Sequence, residues 1–179
     1  MNQTAAISDL TECIIQSVLI LLRDKGLEEI TVKEIAEQAG VNRSTYYRHF
    51  AVKKDVIRRF YPLRLDQYLN SIQGDISPKD YFTGIFSDFL RYKQELILLD
   101  QRGLSFLLLE ELNSRIAQVH GTSNMASYSL ACNYHIGGVF NSFRYWLIED
   151  METPPAKLAS QCLTFLPQDF CPYLLQKLQ

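Results

Sequence analysis

A chain of 179 residues with 47% hydrophobic content can bury a sizeable core, as one long domain or two small ones, which excludes a disordered chain. Its 18 basic and 20 acidic residues leave a net charge of −2, which excludes a protein that coats DNA through bulk charge. No apolar run approaches the roughly 20 residues of a membrane helix. The N-terminus also lacks the basic start and apolar core of a signal peptide, so cytoplasm is the expected compartment and no membrane contact is expected.

The first predicted helix begins near Ser8, where Asp9 and Glu12 suit its positive end. Leu10, Ile14, Val18, Leu21 and Leu22 form its buried stripe, and Gly26 stops it. Thr31 and Glu34 then make a T-x-x-E capping box, so a short second helix starts at Val32. Val32, Ile35, Ala36 and Ala39 share its inner face, and Gly40 ends it where the backbone must turn through a left-handed conformation. Asn42 caps the third helix, Arg43 to Phe50, which buries Tyr46 and Phe50 at i and i+4. Arg43, Ser44, Thr45, Tyr47, Arg48 and His49 are left to face outward or sideways. Two short helices joined by a tight turn, the second polar and basic outside, form a helix-turn-helix.

Residues from about Ser8 to Tyr61 resemble the DNA-binding domain of the TetR/AcrR family of bacterial transcriptional regulators. The residues that carry the resemblance are T-V-K-E-I-A from Thr31, the A-G-V turn at Ala39, S-T-Y-Y-R-H-F from Ser44, and the F-x-x-K of Phe50 to Lys53. It implies that Thr45 and Tyr47 meet phosphates or base edges, and that Arg43 and Ser44 open the recognition helix and read bases. Arg–guanine pairing is the commonest specific contact in the major groove. Arg48 and His49 suit either job. Thr31, Lys33 and Asn42 fall on the same DNA-facing surface, and Lys53 takes a phosphate at the start of the fourth helix, where charge and helix N-terminus both favour an anion. Val52 stands where a Ser or Asp cap is more usual, so that start is expected to fray. Charge is distributed in keeping with this surface. From Gly40 to Tyr61 six basic residues face Asp55 alone, six less one or +5, whereas from Pro62 onward nine basic and twelve acidic residues give −3.

The fourth helix runs from Lys53 into the sixties, with an irregularity expected at Pro62. Ser77 caps and Pro78 opens the fifth, whose inner face carries Phe82, Ile85, Phe86 and Phe89. A short sixth piece lies near Gln94 to Leu99. Gly103 precedes the seventh, with Leu104, Leu107, Leu108, Leu112 and Ile116 in one stripe. Gly121 to Asn124 is a turn, the eighth helix spans about Met125 to Asp150, and the ninth about Ala156 to Leu166. The tail from Gln168 brings Phe170, Tyr173 and Leu174. No stretch alternates with the period of a strand. The expected fold is all-α: an N-terminal three-helix helix-turn-helix domain over 1–52, a connecting helix over 53–70, and a helical effector-binding and dimerisation domain over 71–179.

Apolar residues surround the eighth helix instead of forming one stripe, so it needs cover on most sides. Gly137 and Gly138 within it cost roughly 1 kcal/mol each relative to Ala, which the close approach of another backbone would offset. In the family resembled, the last two long helices pack against their copies as a four-helix bundle. Carried onto this chain, that implies a homodimer with Tyr134, Gly138, Asn141, Tyr145, Leu158, Cys162 and Phe165 at the interface, reading a palindromic double-stranded DNA operator. The family also holds small molecules among helices five to eight, which makes Phe86, Phe89, Tyr92, Phe106, His120, Tyr128, Cys132 and His135 candidate wall residues for an effector. A metal is not expected, because no carboxylate or thiol stands at ligand spacing beside His120 or His135, and the four cysteines show no C-x-x-C pair. Neither a cofactor nor catalysis is expected. The chain has no G-x-S-x-G elbow, no phosphate-cradling glycine loop and no H-E-x-x-H.

The expected function is therefore a homodimeric, sequence-specific transcriptional regulator, a repressor relieved by a small effector. An alternative stays open. The segment YHIGGVFNSFRYWL from Tyr134 resembles a branch of the same family that includes regulators of dihydroxyacetone kinase operons, in which a member acts as a co-activator through a protein partner. An exposed apolar patch outside the dimer face would favour that reading, and a closed, ligand-sized cavity the first.

Overall fold

The computed structural model describes residues 3–120 and 126–166, and of 3–8, 116–120, 126–129, 131 and 132 the backbone alone. The first helix, α1 (Gln3–Leu22), begins five residues before the expected Ser8. Asp9 and Glu12 therefore lie within it, not at its positive end, and Glu12 pairs instead with Arg64. Ile14, Ile15, Val18, Leu19 and Leu22 are buried. At its far end the Arg102 guanidinium donates to the carbonyls of Leu22 and Arg23 at 2.8 and 2.9 Å, satisfying acceptors that a helix terminus leaves open.

The predicted caps form. In α2 (Val32–Gln38) the Glu34 N–H donates to Thr31 Oγ1 at 3.2 Å, and the Thr31 N–H donates to Glu34 Oε2 at 2.8 Å. Gly40 turns the chain at φ +67°, and the Val41 N–H closes the turn on the Ala36 carbonyl at 2.9 Å. Asn42 then caps α3 (Arg43–His49).

In α4 (Lys53–Leu69) two expectations change. The Asp55 carboxylate, in the first turn, accepts the Val52 N–H at 3.2 Å, so the missing side-chain cap at Val52 is made good from inside the helix. The helix also runs through Pro62 without a break. Proline removes one backbone donor there, while Phe60, Tyr61, Arg64 and Leu65, buried on both sides of it, hold the segment against its neighbours. Arg64 is 3% exposed, stacks 4.3 Å from the Tyr92 ring, and with Glu12 pins α4 to α1.

Beyond α4 come α5 (Pro78–Leu90), capped by Ser77, then α6 (Lys93–Gln101), α7 (Phe106–His120), α8 (Ala126–Ile148) and α9 (Pro155–Thr164). The described residues contain helices and turns only. Helix α4 packs against α1, α5 and α7; α8 lies on α6 and α7; and α9 runs along α5. One continuous core extends from Ile14 in α1 to Cys162 in α9. Asp150 and Met151 end α8 at φ 51° and 52° without a glycine, held by the buried Met151 side chain and by a 2.6 Å ion pair from Lys93 to Asp150. No helix among the described residues is long and apolar enough to cross a membrane. The turn expected at 121–124 and the tail from Gln168 lie outside the described residues.

Candidate nucleic-acid interface and effector cavity

Helix α3 has one anchored face. Tyr46 is fully buried and Phe50 is 6% exposed, with ring centroids 5.8 Å apart. With that face fixed, Arg43, Ser44, Tyr47 and Arg48 are exposed, and Thr45 and His49 half-buried. Tyr47 stands 58% exposed, edge-on to the Tyr46 ring at 5.4 Å. That exposure leaves the ring and the hydroxyl of Tyr47 open to an incoming surface. The Asn42 side-chain oxygen accepts from Ser44 Oγ at 2.6 Å, from the Thr45 N–H at 2.8 Å and from Thr45 Oγ1 at 2.9 Å. Arg48 donates to Thr45 Oγ1 at 3.0 Å. The first turn of α3 is thus pre-organised, while the Arg43 guanidinium has no partner among the described residues.

Not all of the basic cluster is free for phosphate. Lys53 Nζ donates to the carbonyls of Glu28 and Ile30 at 2.9 and 2.7 Å, so the ammonium expected at a phosphate ties α4 to the loop before α2. One of its three N–H donors remains. Lys54 lies 4.4 Å above the Phe106 ring, and Arg58 pairs with Asp55 and Glu110 at 3.2 and 3.3 Å. Lys33, exposed, sits 3.7 Å from Glu37. Arg43, Arg48 and Arg59 are the exposed arginines in the cluster that no carboxylate among the described residues engages. Thr31 serves as the α2 cap. Below it, Glu34 is held down to about 2, first by the Lys25 ammonium and then by the Thr31 N–H and hydroxyl.

Among the helices that follow lies an apolar cavity of about 100 Å³, bounded by α4, α5, α7 and α8. Phe86 and Phe89, two of the candidate wall residues, line it with Tyr81, Phe82, Phe140 and Phe143. Three expected wall residues lie elsewhere. Tyr92 stacks on Arg64. Phe106 is 37% exposed under Lys54, because α7 begins at the surface beside α4. His135 lines a groove on the outer side of α8. The side chains of His120, Tyr128 and Cys132 lie outside the described residues. The sequence reading missed Arg115, the one charged residue of the lining among the described residues. Only its i, i+4 spacing from Glu111 was legible beforehand.

Helix α8 has two apolar faces. Ile136, Phe140, Phe143, Trp146 and Leu147 are buried, whereas Leu130, Tyr134, Tyr145 and Ile148 are 63–77% exposed, as is Phe165 beyond α9 at 78%. Gly138 and Asn141 are exposed between them, and nothing lies within 4 Å of a Cβ built at Gly137 or Gly138. Leu158 and Cys162 differ from the expected interface set. At 5% and 4% exposure they belong to the core, because α9 turns them toward α5. What they offer outward is only the floor of the groove between α8 and α9. Among the described residues no group of His, Cys, Asp and Glu could hold a metal ion.

Residues 14–60 match the model of the bacterial regulatory proteins of the tetR family. The HTH-type transcriptional repressor KstR2 of Mycolicibacterium smegmatis is 30% identical over 77 residues, 41% of this chain and 38% of that protein. The fatty acid metabolism regulator protein of Bacillus subtilis is 29% identical over 66 residues, 37% of this chain and 34% of that protein. The matches thus span little over a third of these curated relatives. The fatty acid degradation regulator FadR of Bacillus halodurans has a similar structure, with a TM-score of 0.53 and 16% identity over 87% of this chain and 93% of that one. So has the transcriptional regulator FadR of Bacillus subtilis in complex with stearoyl-CoA, at 0.53 and 18% over 86% and 95%. At such identities the likeness establishes the all-helical fold. Residues 14–60, which form the N-terminal helix-turn-helix, are thus similar to the DNA-binding region of the bacterial regulatory proteins of the tetR family.

Proposed function

We propose that the protein is a homodimeric, sequence-specific repressor that binds a palindromic operator through α3 and leaves it when a small apolar molecule fills the cavity between α4, α5, α7 and α8. The observation that carries the DNA reading is α3 itself. Its inner face is locked by Tyr46 and Phe50, and its outer face offers Arg43, Ser44, Tyr47 and Arg48. Arg43 and Ser44, at the start of the helix, are the base readers; Thr45, Tyr47 and Arg48 contact backbone and neighbouring edges. A single short helix reads few bases, and pairing two subunits through the open faces of α8 and Phe165 doubles the site. The curated relatives include a repressor, which favours that sign of regulation. An apolar cavity lined by phenylalanines, together with a fold neighbour solved in complex with stearoyl-CoA, favours a small ligand over a protein partner in the body.

Selection of bound duplexes from a random pool, with the mass of the complex measured alongside, tests the proposal. The expected result is a palindrome with half-sites centred roughly 34–36 Å apart, bound by dimers. Tyr47→Ala is expected to lower affinity for that palindrome at least about tenfold, the equivalent of roughly 1.4 kcal/mol, with the circular dichroism spectrum unchanged. Undiminished binding by this variant would remove α3 as the reading helix. A folded dimer that enriches no sequence would instead support the co-activator reading, in which the body engages a protein.

A further inference from the structure

Among the described residues Arg115 is the only charged side chain that reaches the cavity, and two carboxylates hold it there. Its Nη2 donates to Asp66 of α4 at 2.8 Å and its Nε to Glu111 of its own helix at 2.5 Å. The two carboxylates differ. Glu111 is one helical turn away and 23% exposed, so its place is fixed by α7. Asp66 reaches across from α4 and is 46% exposed, so water can receive it at little cost. A guanidinium with both partners in place leaves no net positive charge for a second anion. An anion can enter only by taking the place of one carboxylate, and Asp66 is the one free to leave.

Resting on the effector reading above, we infer that the effector is an amphipathic anion. Its carboxylate-like head replaces Asp66 on Arg115 while its apolar tail fills the phenylalanine-lined cavity. The exchange conserves charge, one carboxylate for another, and conserves the hydrogen bonds of the guanidinium. It breaks the link between α4 and α7 at the distal end of α4. The same helix holds the DNA-reading domain, at its start through Lys53 on the carbonyls of Glu28 and Ile30 and farther along through Arg64 on Glu12. Head-group binding and the position of the reading domain therefore act on one rigid element, and their coupling is reciprocal. The resting cavity, at about 100 Å³, is smaller than the roughly 150 Å³ engineered cavity that admits benzene, so an apolar tail enters as the wall side chains shift to make room.

Trp146, the one tryptophan of the chain, lies 5.7 Å from Phe86 and 6.4 Å from Phe143, both of the cavity wall, and its fluorescence reports occupancy. The full-length protein is titrated with hexanoate and, as the neutral control of the same shape, hexanamide. Hexanoate is expected to bind about tenfold more tightly, as one charge-assisted pair requires. Asp66→Asn, which removes the competing charge from a half-exposed site, is expected to tighten hexanoate several-fold and leave hexanamide unchanged. Arg115→Met is expected to bring the two ligands to equal affinity. Equal binding of both by the unaltered protein overturns the anionic head group while leaving the cavity as an effector site. If neither compound changes the fluorescence or the melting temperature, the cavity reading falls as well.

Discussion

Glu34 is the side chain whose local role reaches furthest. Its carboxylate closes the capping box of α2 and binds Lys25, and those contacts hold its pKa at about 2 against an ordinary 4.5. A carboxyl with a lower pKa in the folded than in the unfolded state contributes stability above its unfolded value. That contribution is lost as pH falls through the folded value. The melting-temperature gap between the unaltered protein and Glu34→Gln is therefore expected to be full above pH 4.5 and to close as the pH drops toward 2. A gap that stays constant over that window would show that Glu34 has no shifted titration. The box was legible because both partners lie three residues apart on one turn. Lys25 was not legible, since only the path of the loop brings it there. Lys53 makes the same point from the other side: its place at the start of α4 was readable, but its two carbonyl partners, more than twenty residues away, were not.

Among the elements, α4 is the one on which the rest of the molecule is hung. It touches α1 through Arg64, α7 through Lys54, Arg58 and Asp66, and α5 through Tyr68. The last contact depends on a glycine. A Cβ at Gly84 of α5 would fall on the Tyr68 ring and its hydroxyl, so α4 and α5 approach as closely as they do because position 84 has no side chain. Gly84→Ala is expected to destabilise the protein by about 1–3 kcal/mol through overpacking, offset in part by the roughly 1 kcal/mol by which Ala favours a helix. Adding Tyr68→Ala removes the clash, so thermal denaturation of the double variant should show Gly84→Ala to be neutral or stabilising in that background. If Gly84→Ala costs the same with and without Tyr68, the close approach is not what the glycine serves. Sequence periodicity placed α5 and its caps, but this crossing could not be read from either helix alone.

For the whole molecule, the open question is what covers α8. Tyr134, Tyr145, Ile148 and Phe165 lie open at 63–78%, far above the exposure of the large apolar side chains in the core. In the homodimer proposed above a second copy of the chain would cover that face, the two subunits burying the same residues about a two-fold axis. Tyr145→Asp puts a charge into that contact and is expected to shift the sedimenting species from dimer to monomer while leaving the helical content intact. A dimer that persists at the same concentration would place the interface on another surface.

The amino-acid sequence by itself determined the presence of the helices, the caps of α2, α3 and α5, the helix-turn-helix and the inner face of α3, because each rests on contacts between residues a few positions apart. It also marked α8 as apolar on more sides than one core can cover. Which of those apolar residues turn inward was decided only in three dimensions. The packing of α9 along α5 buries Leu158 and Cys162, and the position of α7 beside α4 draws Phe106 out of the cavity and under Lys54. The same packing brings Asp66 and Arg115, 49 positions apart, to one mouth. Helical periodicity tells which residues share a face; which neighbour that face meets depends on crossings between distant segments, and these exist only once the chain has folded.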